Sequence, residues 1–394
     1  MELASKDACT GCGNCRLVCK KKAVTFTRDA LNNIYPVIDS GKCVGCGLCQ
    51  KVCPAINNVE KNRPKACYSC YASNEAIRKS SASGGVAQAI YRWCLKKDIP
   101  FAGVYFDNKE LTAKYKLGFS VEDIHQFVNS KYTFSFMGNI SEDVIDILKN
   151  GKPLVFIGLP CQVAAVKKYA EINKVNTENL FTVDIICHGV PSDLYIKEHV
   201  KNICNGGAKI ERLSFRDERF MTSKFVFSVD YNGKNYHKYV ESNDNFQIGY
   251  HNATIYRPNC YSCMYAGPNR CGDLTIGDFT GLGRVASVDG NIAEMKYQGV
   301  SCVLCNSEKG QKVLAQIGDE KYLSIDSRPI EEALKFENQL ASPSIPSTYR
   351  NRFVELYPEK GFDKACNVVF KKEKLKSPII HAAKMCVKKV LGRR

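Results

Sequence analysis

The chain has 394 residues, 44% of them hydrophobic, with 21 cysteines and a formal net charge of +16. That length predicts two or three domains with a sizeable core, and no run of eighteen apolar residues is present to span a membrane. The N-terminus, MELASKDACTGCG, has no basic-then-apolar signal region, so a cytoplasmic protein is expected, with cysteines that ligate metal rather than pair as disulfides.

The first region, 1–57, carries one cysteine pattern twice: Cys9, Cys12, Cys15 and Cys19, then Cys43, Cys46, Cys49 and Cys53 followed by Pro54. Each is C-x2-C-x2-C-x3-C, the spacing that wraps three thiolates round one cubane and sends the fourth to the other. Cys9, Cys12, Cys15 and Cys53 are therefore assigned to one [4Fe–4S] cluster, and Cys43, Cys46, Cys49 and Cys19 to a second. Glycines 11, 13, 45 and 47 suit a backbone that bends with positive φ close to a cluster. Two zinc sites are the competing reading, but zinc motifs pair two C-x2–4-C units across a longer loop. Lys20 stands where the pattern often has proline. Residues 23–27 and 34–38 read as short strands with a turn near Asn32-Asn33. The fold class expected is an α+β ferredoxin-like dicluster domain followed by an α/β domain with a mixed sheet.

Residues 58–66 read as a polar linker. Cys67-Tyr-Ser-Cys70 follows as a strand, its C-x2-C spacing weaker as a ligand signal than as two half-buried strand cysteines. Arg78-Lys79-Ser-Ser-Ala-Ser83-Gly84-Gly85 precedes a helix over 86–96. It suits either an anion site at the helix start or a plain N-cap with a glycine turn; no G-x-G-x-x-G fingerprint supports a dinucleotide fold. Residues 101–106 read as a buried strand, 129–135 as a polar loop, and 141–150 as a helix capped by Ser141.

The strand Leu154–Gly158 ends in a turn to Cys161 and a helix; 181–186 is a strand ending in Cys187-His188-Gly and a second helix. This alternation predicts a parallel or mixed sheet with both corners along one edge. A strand over 210–215, a hairpin over 225–239 turning at Asn232-Gly233, the Cys260-Tyr-Ser-Cys263 loop, a strand over 273–278 and a buried strand over 299–305 follow. Cys302 and Cys305 read as core residues. The closing region, 331–394, ends in a basic helical tail from about 367; such a tail is able to lie on anionic lipid, with a solvated terminal helix the simpler reading.

Cys161, Cys187, Cys260 and Cys263 are candidates for a third cluster, with Cys271 a fifth candidate. A structural zinc or a nucleophile at Cys161 or Cys187-His188 competes. With twelve cluster thiolates and three [4Fe–4S]2+ cores the charge falls to roughly +10, which suits anionic partners such as nucleotide cofactors or an acidic ferredoxin. No nucleic-acid-binding motif is present, and the basic residues are not massed in one patch.

Ile157-Gly-Leu-Pro-Cys161-Gln, Ile186-Cys-His-Gly-Val-Pro-Ser, Ser214-Phe-Arg-Asp, Cys260-Tyr-Ser-Cys and Asp273-Leu-Thr-Ile-Gly-Asp resemble the coenzyme F420 hydrogenase/dehydrogenase beta-subunit family, as do Ser83-Gly-Gly and Ser130-Lys-Tyr. The resemblance spans about Cys67 to Gly310 and implies an N-terminal family region over 67–150 and a C-terminal one over 151–330. It implies a flavin-binding α/β domain holding FAD and a [4Fe–4S] cluster on Cys161, Cys187, Cys260 and Cys263, in preference to a set with Cys271. Ser83, Gly84, Gly85, Lys131 and Arg216 are then candidates for FAD contact, and His188 and Lys131 for tuning the flavin or supplying a proton. The expected activity is an iron–sulfur flavoprotein oxidoreductase, fed by a redox partner protein or soluble ferredoxin. Its hydride partner would be coenzyme F420 or another conjugated organic molecule. Bacterial relatives look like components of surface-polysaccharide gene clusters. Thr280 stands where they often carry Trp, which bears on the substrate. The alternative is a non-catalytic electron-transfer subunit of a larger redox complex.

Overall fold

The computed structural model describes residues 3–220, 222–240, 243–290, 292 and 299–375. The N-terminal unit is an antiparallel pair, β1 (Val24–Arg28) and β2 (Ile34–Ile38), with two one-turn helices, α1 (Asn14–Leu17) and α2 (Leu48–Lys51). Gly13 and Gly47 precede these helices at φ 87 and 75, a conformation only glycine adopts without strain. The reason is local: the chain must turn sharply inside each cysteine run.

The centre of the molecule is a nine-stranded mixed sheet. Its strands are β3 (Ala66–Ala72), β4 (Phe101–Asp107), β5 (Thr112–Gly118), β6 (Ser135–Phe136), β7 (Leu154–Gly158), β8 (Leu180–Ile185), β12 (Leu274–Asp278), β13 (Ser301–Cys305) and β14 (Leu323–Arg328). The order is β14-β3-β13-β12-β8-β7-β4-β5-β6. β4, β7, β8 and β12 run parallel to one another, so their carboxyl ends share one edge.

Each strand sends alternate residues to opposite faces. On β7, Val155 and Ile157 pack under α4 (Val86–Lys96) and α11 (Glu308–Asp319), while Leu154 and Phe156 pack under α6 (Ile140–Lys149) and α7 (Pro160–Ile172). The N-terminal unit docks on the second of these faces. Buried Asn14 donates to Ala165 O at 2.7 Å and accepts from Ser141 Oγ at 2.9 Å.

That contact corrects the expected cap of α6. The helix starts at Ile140 after Asn139, because Ser141 is inside the first turn and spends its hydroxyl on Asn14. The 78–85 stretch also differs from a free anion loop. Asn74 caps a helix, α3 (Glu75–Ser80), accepting from Ala76 and Ile77 N–H. Arg78 turns inward to Ala72 O, and Lys79 pairs with Glu75.

A second layer holds β9 (Ile210–Ser214), β10 (Phe227–Tyr231) and β11 (Lys234–Lys238), a three-stranded antiparallel sheet. It packs with α8 (Asp193–Ile203), α9 (Asn245–His251), α13 (Arg350–Lys360) and α14 (Phe362–Val369) in an aromatic-rich core. No helix among the described residues is long and apolar enough to cross a membrane. Residues 376–394, most of the expected basic tail, lie outside the described residues.

Candidate functional site

The cysteines gather in three groups. Cys12 and Cys15 each sense the charge of Cys9 and Cys53. These four, with Gly11 and Gly13, wall a small cavity. Burial pushes the Cys12 thiol up to about 12, because a buried thiolate is costly, and a cluster bound there would have to deprotonate it. In the second group Cys49 senses Cys43 and Cys46. Cys19 shares an apolar cluster with Cys49, and its Sγ accepts from Ala23 N–H at 3.3 Å. Cys46 is exposed.

The third group sits at the carboxyl edge of the central sheet. Cys161 lies in the first turn of α7, just past β7, and Cys187 just past β8. The 260–263 segment reaches them because α10 (Pro258–Tyr261) is tied to the loop after Cys187: Arg257 N–H donates to Val190 O, Val190 N–H to Cys260 Sγ, and Pro191 bridges Tyr256. A side chain on Gly189 would collide with the Tyr256 ring, which explains the glycine in that corner. Cys161 senses Cys263, Cys187 and Cys260, and beyond them Cys12. Burial raises its pKa, which outweighs the helix N-terminus that would otherwise favour the thiolate. Cys271 packs in the same apolar cluster as Cys161 and Cys263, but its thiol donates to Pro160 O at 3.0 Å.

The first set shares one cavity wall, the second brings Cys43, Cys46 and Cys49 near one another with Cys19 in the same apolar cluster as Cys49, and the third brings Cys161 near Cys187, Cys260 and Cys263; thiol sets of this kind are the chemistry that binds iron–sulfur clusters. Among the described residues, no three His, Cys, Asp or Glu side chains are gathered tightly enough to clasp a single metal ion.

A network of polar and aromatic groups borders the third quartet. Tyr250 senses Cys187 and Cys260 and stacks on Tyr132 at 4.3 Å. Arg216 pairs with Asp278 at 3.0 Å and lies over Phe225 at 4.0 Å. His188 keeps an exposed edge but is crowded on its other side: burial lowers its pKa, the Asp278 charge opposes that fall and Arg216 adds to it. Burial and the charges of His188 and Arg216 take His251 down to about 4, so it is a neutral ring at ordinary pH.

Beside this network lies a cavity of about 620 Å³, within the range of cofactor sites. It opens at the same carboxyl edge, past β4, where sheets of this kind place ligands. Asn74, Ser80, Gln88, Arg92, Lys131 and Ser214 are in its wall. Arg92 Nε is buried with no hydrogen-bond partner among the described residues. Lys131 Nζ donates to the carbonyls of Gln126, Phe127, Val128 and Asn129, three of them within 3.1 Å. It thereby caps the end of α5 (Val121–Phe127). Burial pulls its pKa down to about 7, and the four carbonyls oppose that by bonding the ammonium form.

The five residues tied to FAD by resemblance do not converge on one point. Lys131 lines the cavity. Arg216 is joined to its wall through Asn129, whose side chain donates to Arg216 O. Ser83 and Gly84 are spent on packing: Ser83 Oγ donates to Val300 O, and Gly84 N–H donates to Ser301 Oγ. Gly85, at φ 88, is the N-cap of α4. The sequence reading missed Arg92, Tyr250 and His251, which no short motif marks, and gave Tyr132 no role although it closes the Ser130-Lys-Tyr phrase; only the fold brings them to this edge.

Residues 151–331 match the family model for the C terminus of the coenzyme F420 hydrogenase/dehydrogenase beta subunit, and residues 3–61 match the 4Fe-4S dicluster domain. The F420-dependent formate dehydrogenase subunit beta of Methanocaldococcus jannaschii is 24% identical over 186 residues, 47% of this chain and 42% of that protein. The chain therefore matches less than half the length of that relative. A solved chain of the F420-reducing [NiFe] hydrogenase complex from Methanosarcina barkeri aligns with 18% identity and a TM-score of 0.43, over 82% of this chain and 94% of its own.

Proposed function

From a chain that belongs over residues 151–331 to the coenzyme F420 hydrogenase/dehydrogenase beta-subunit family and carries a 4Fe-4S dicluster domain over residues 3–61, we propose an iron–sulfur flavoprotein oxidoreductase with three clusters and FAD. Its hydride partner is coenzyme F420 or another conjugated organic molecule. Cys9, Cys12, Cys15 and Cys53 hold the inner ferredoxin cluster, and Cys19, Cys43, Cys46 and Cys49 the outer one. Cys161, Cys187, Cys260 and Cys263 hold the third. Bound there, the clusters supply one-electron relay and the flavin supplies hydride chemistry.

The observation that carries the proposal is that Cys161 packs against one apolar cluster together with Cys263 of its own quartet and with Cys12. It joins the dicluster unit to the sheet edge where the cavity opens. Arg92 and Lys131 offer cationic partners for a dinucleotide's pyrophosphate. Tyr132, Tyr250 and neutral His251 line the ground between quartet and cavity, where they exclude water. His188, its pKa lowered by burial and with an exposed edge near Asp278, is the residue we propose to hold or pass a proton.

Anaerobic purification with iron and flavin measured on one sample tests this. About twelve irons per chain and one FAD, with the flavin bleached by reduced F420, are expected. About eight irons with no flavin would sink the proposal in favour of a simple electron carrier.

A further inference from the structure

The two ferredoxin quartets face different surroundings. The inner one approaches the third quartet through Cys12. The outer one reaches solvent: Cys46 is exposed, and Val44 beside it is 65% exposed. Val44 and Cys46 thus leave this quartet's outer edge open to solvent among the described residues.

The surface around it is cationic. Lys20, Lys21, Lys22, Lys42 and Lys51 are all exposed, and each lies within three residues of a cysteine of the outer quartet. The backbone gathers them. Lys22 N–H donates to Cys19 O at 2.8 Å, Asp39 N–H to Ala23 O at 2.8 Å, and Cys43 N–H to Asp39 O at 3.0 Å. The 20–22 turn and the 39–43 turn are thus laid side by side. Asp39, paired with Lys42 at 3.0 Å, is the acid among them.

We infer that the surface centred on Val44 and Cys46 and ringed by Lys20, Lys21, Lys42 and Lys51 is the docking face for a small acidic one-electron carrier protein. The inference rests on the redox reading above. Carboxylates of the carrier meet the lysines, and its own redox centre closes over Val44 and Cys46. An electron crossing there leaves the carrier oxidised by one and this chain reduced by one; no atom is transferred. A rim of like charge speeds encounter and sets partner choice more than it deepens affinity, so the face suits a carrier that must arrive and leave in each cycle.

The test uses the full, iron-loaded chain and an acidic bacterial two-[4Fe–4S] ferredoxin as probe, with association followed by anaerobic biolayer interferometry. Lys20→Glu/Lys21→Glu/Lys51→Glu is compared with Lys96→Glu/Lys97→Glu/Lys312→Glu, which reverses as many charges on α4 and α11 on the other face of the sheet. The first triple should slow association about tenfold or more at low ionic strength, and the difference should vanish at about 0.5 M salt, where the Debye length is only a few ångströms. The second should slow association clearly less than the first, since it changes the net charge equally but leaves the lysines of the patch in place. Equal effects of the two triples, or association by the unsubstituted chain that ignores salt, would overturn the inference. Iron content on the same samples separates the two claims: iron in place with no carrier binding overturns the docking face alone, and a chain that cannot hold iron overturns both.

Discussion

Cys187 and Cys271 were both candidates for the third quartet, and they differ in where their sulfurs point. Cys187 senses Cys260 and Cys263, while Cys271 is committed to Pro160 O. Cys187→Ser should therefore lose about four of about twelve irons and keep the ferredoxin signals in the EPR spectrum, whereas Cys271→Ser should lose none; equal losses from the two variants would contradict the assignment. The motif phrases single out the four proposed ligands and leave Cys271 aside, and its hydrogen bond to Pro160 O adds a local reason that the sequence does not carry. His199 had no motif at all. It is buried between Asp244 at 2.9 Å and Asp363 at 2.8 Å. Burial alone would lower its pKa, but the charges and hydrogen bonds of the two carboxylates carry it up to about 10. A pKa raised from about 6.5 stabilises the fold fully below that value, and the contribution is lost as pH rises through about 10. Asp244 works in the opposite sense: burial would raise its pKa, but His199 holds it low, so its share is lost only as pH falls through that lowered value. The thermal midpoint should fall between pH 7 and 10, measured by scanning calorimetry. His199→Ala should flatten that slope and cost about 3–5 kcal/mol at neutral pH, as for a broken buried ion pair. A slope unchanged in the variant would mean that another group titrates.

Elements were legible where their own residues decide them. The helix over 86–96 and the strands at 154–158 and 274–278 follow from apolar periodicity bounded by glycine. α3 was not read, although Asn74 ahead of Glu75 is a cap signal, because the serines and glycines after it suggested a loop. α9, α13 and α14 were also not read. Their apolar faces are satisfied by distant aromatics such as Tyr195, which stacks on Phe362 at 5.3 Å, and no local pattern announces such a partner. Gly84 shows how one residue sets the fit between elements. It lies where the turn into α4 crosses β3 and β13, and a Cβ there would collide with Cys70 O and sit 2.8 Å from Ser301 N. Both are backbone atoms of central strands and cannot swing aside. Gly84→Ala should lower stability by about 1–3 kcal/mol, the usual cost of overpacking, seen as a drop in melting temperature. An unshifted midpoint would show that the turn can move off the sheet.

At the scale of the whole molecule, the dicluster unit looks in sequence like a separate domain on a linker, yet its contacts make it part of the body. Arg28 forms a two-pronged pair with Asp193 at 2.9 and 3.0 Å. Asn14 is inserted between α6 and α7. Buried Arg257 lies over Tyr35 and Phe134 and donates to Ile34 O at 3.2 Å. Tyr265 OH donates to Pro54 O at 2.8 Å, and the linker is itself pinned where Asn62 and Arg270 exchange backbone hydrogen bonds. These partners come from residues 139–357, far from the unit in sequence, so composition at 58–66 could signal polarity but not attachment. Relay between the inner quartet and the third one requires a fixed separation, and several anchors on different elements provide it where a flexible tether would not. Trypsin has an exposed target in the linker at Lys65, whereas Arg63 is shielded by Pro64 after it. A chain cleaved there should still elute as one particle in anaerobic gel filtration and keep its full iron content. Its fragments should part only in denaturant, since burial across the docked face and several buried polar contacts outlast one cut peptide bond. Two peaks under native conditions would show that the unit is tethered rather than built in, and the short path from Cys12 to Cys161 would then be one arrangement among several.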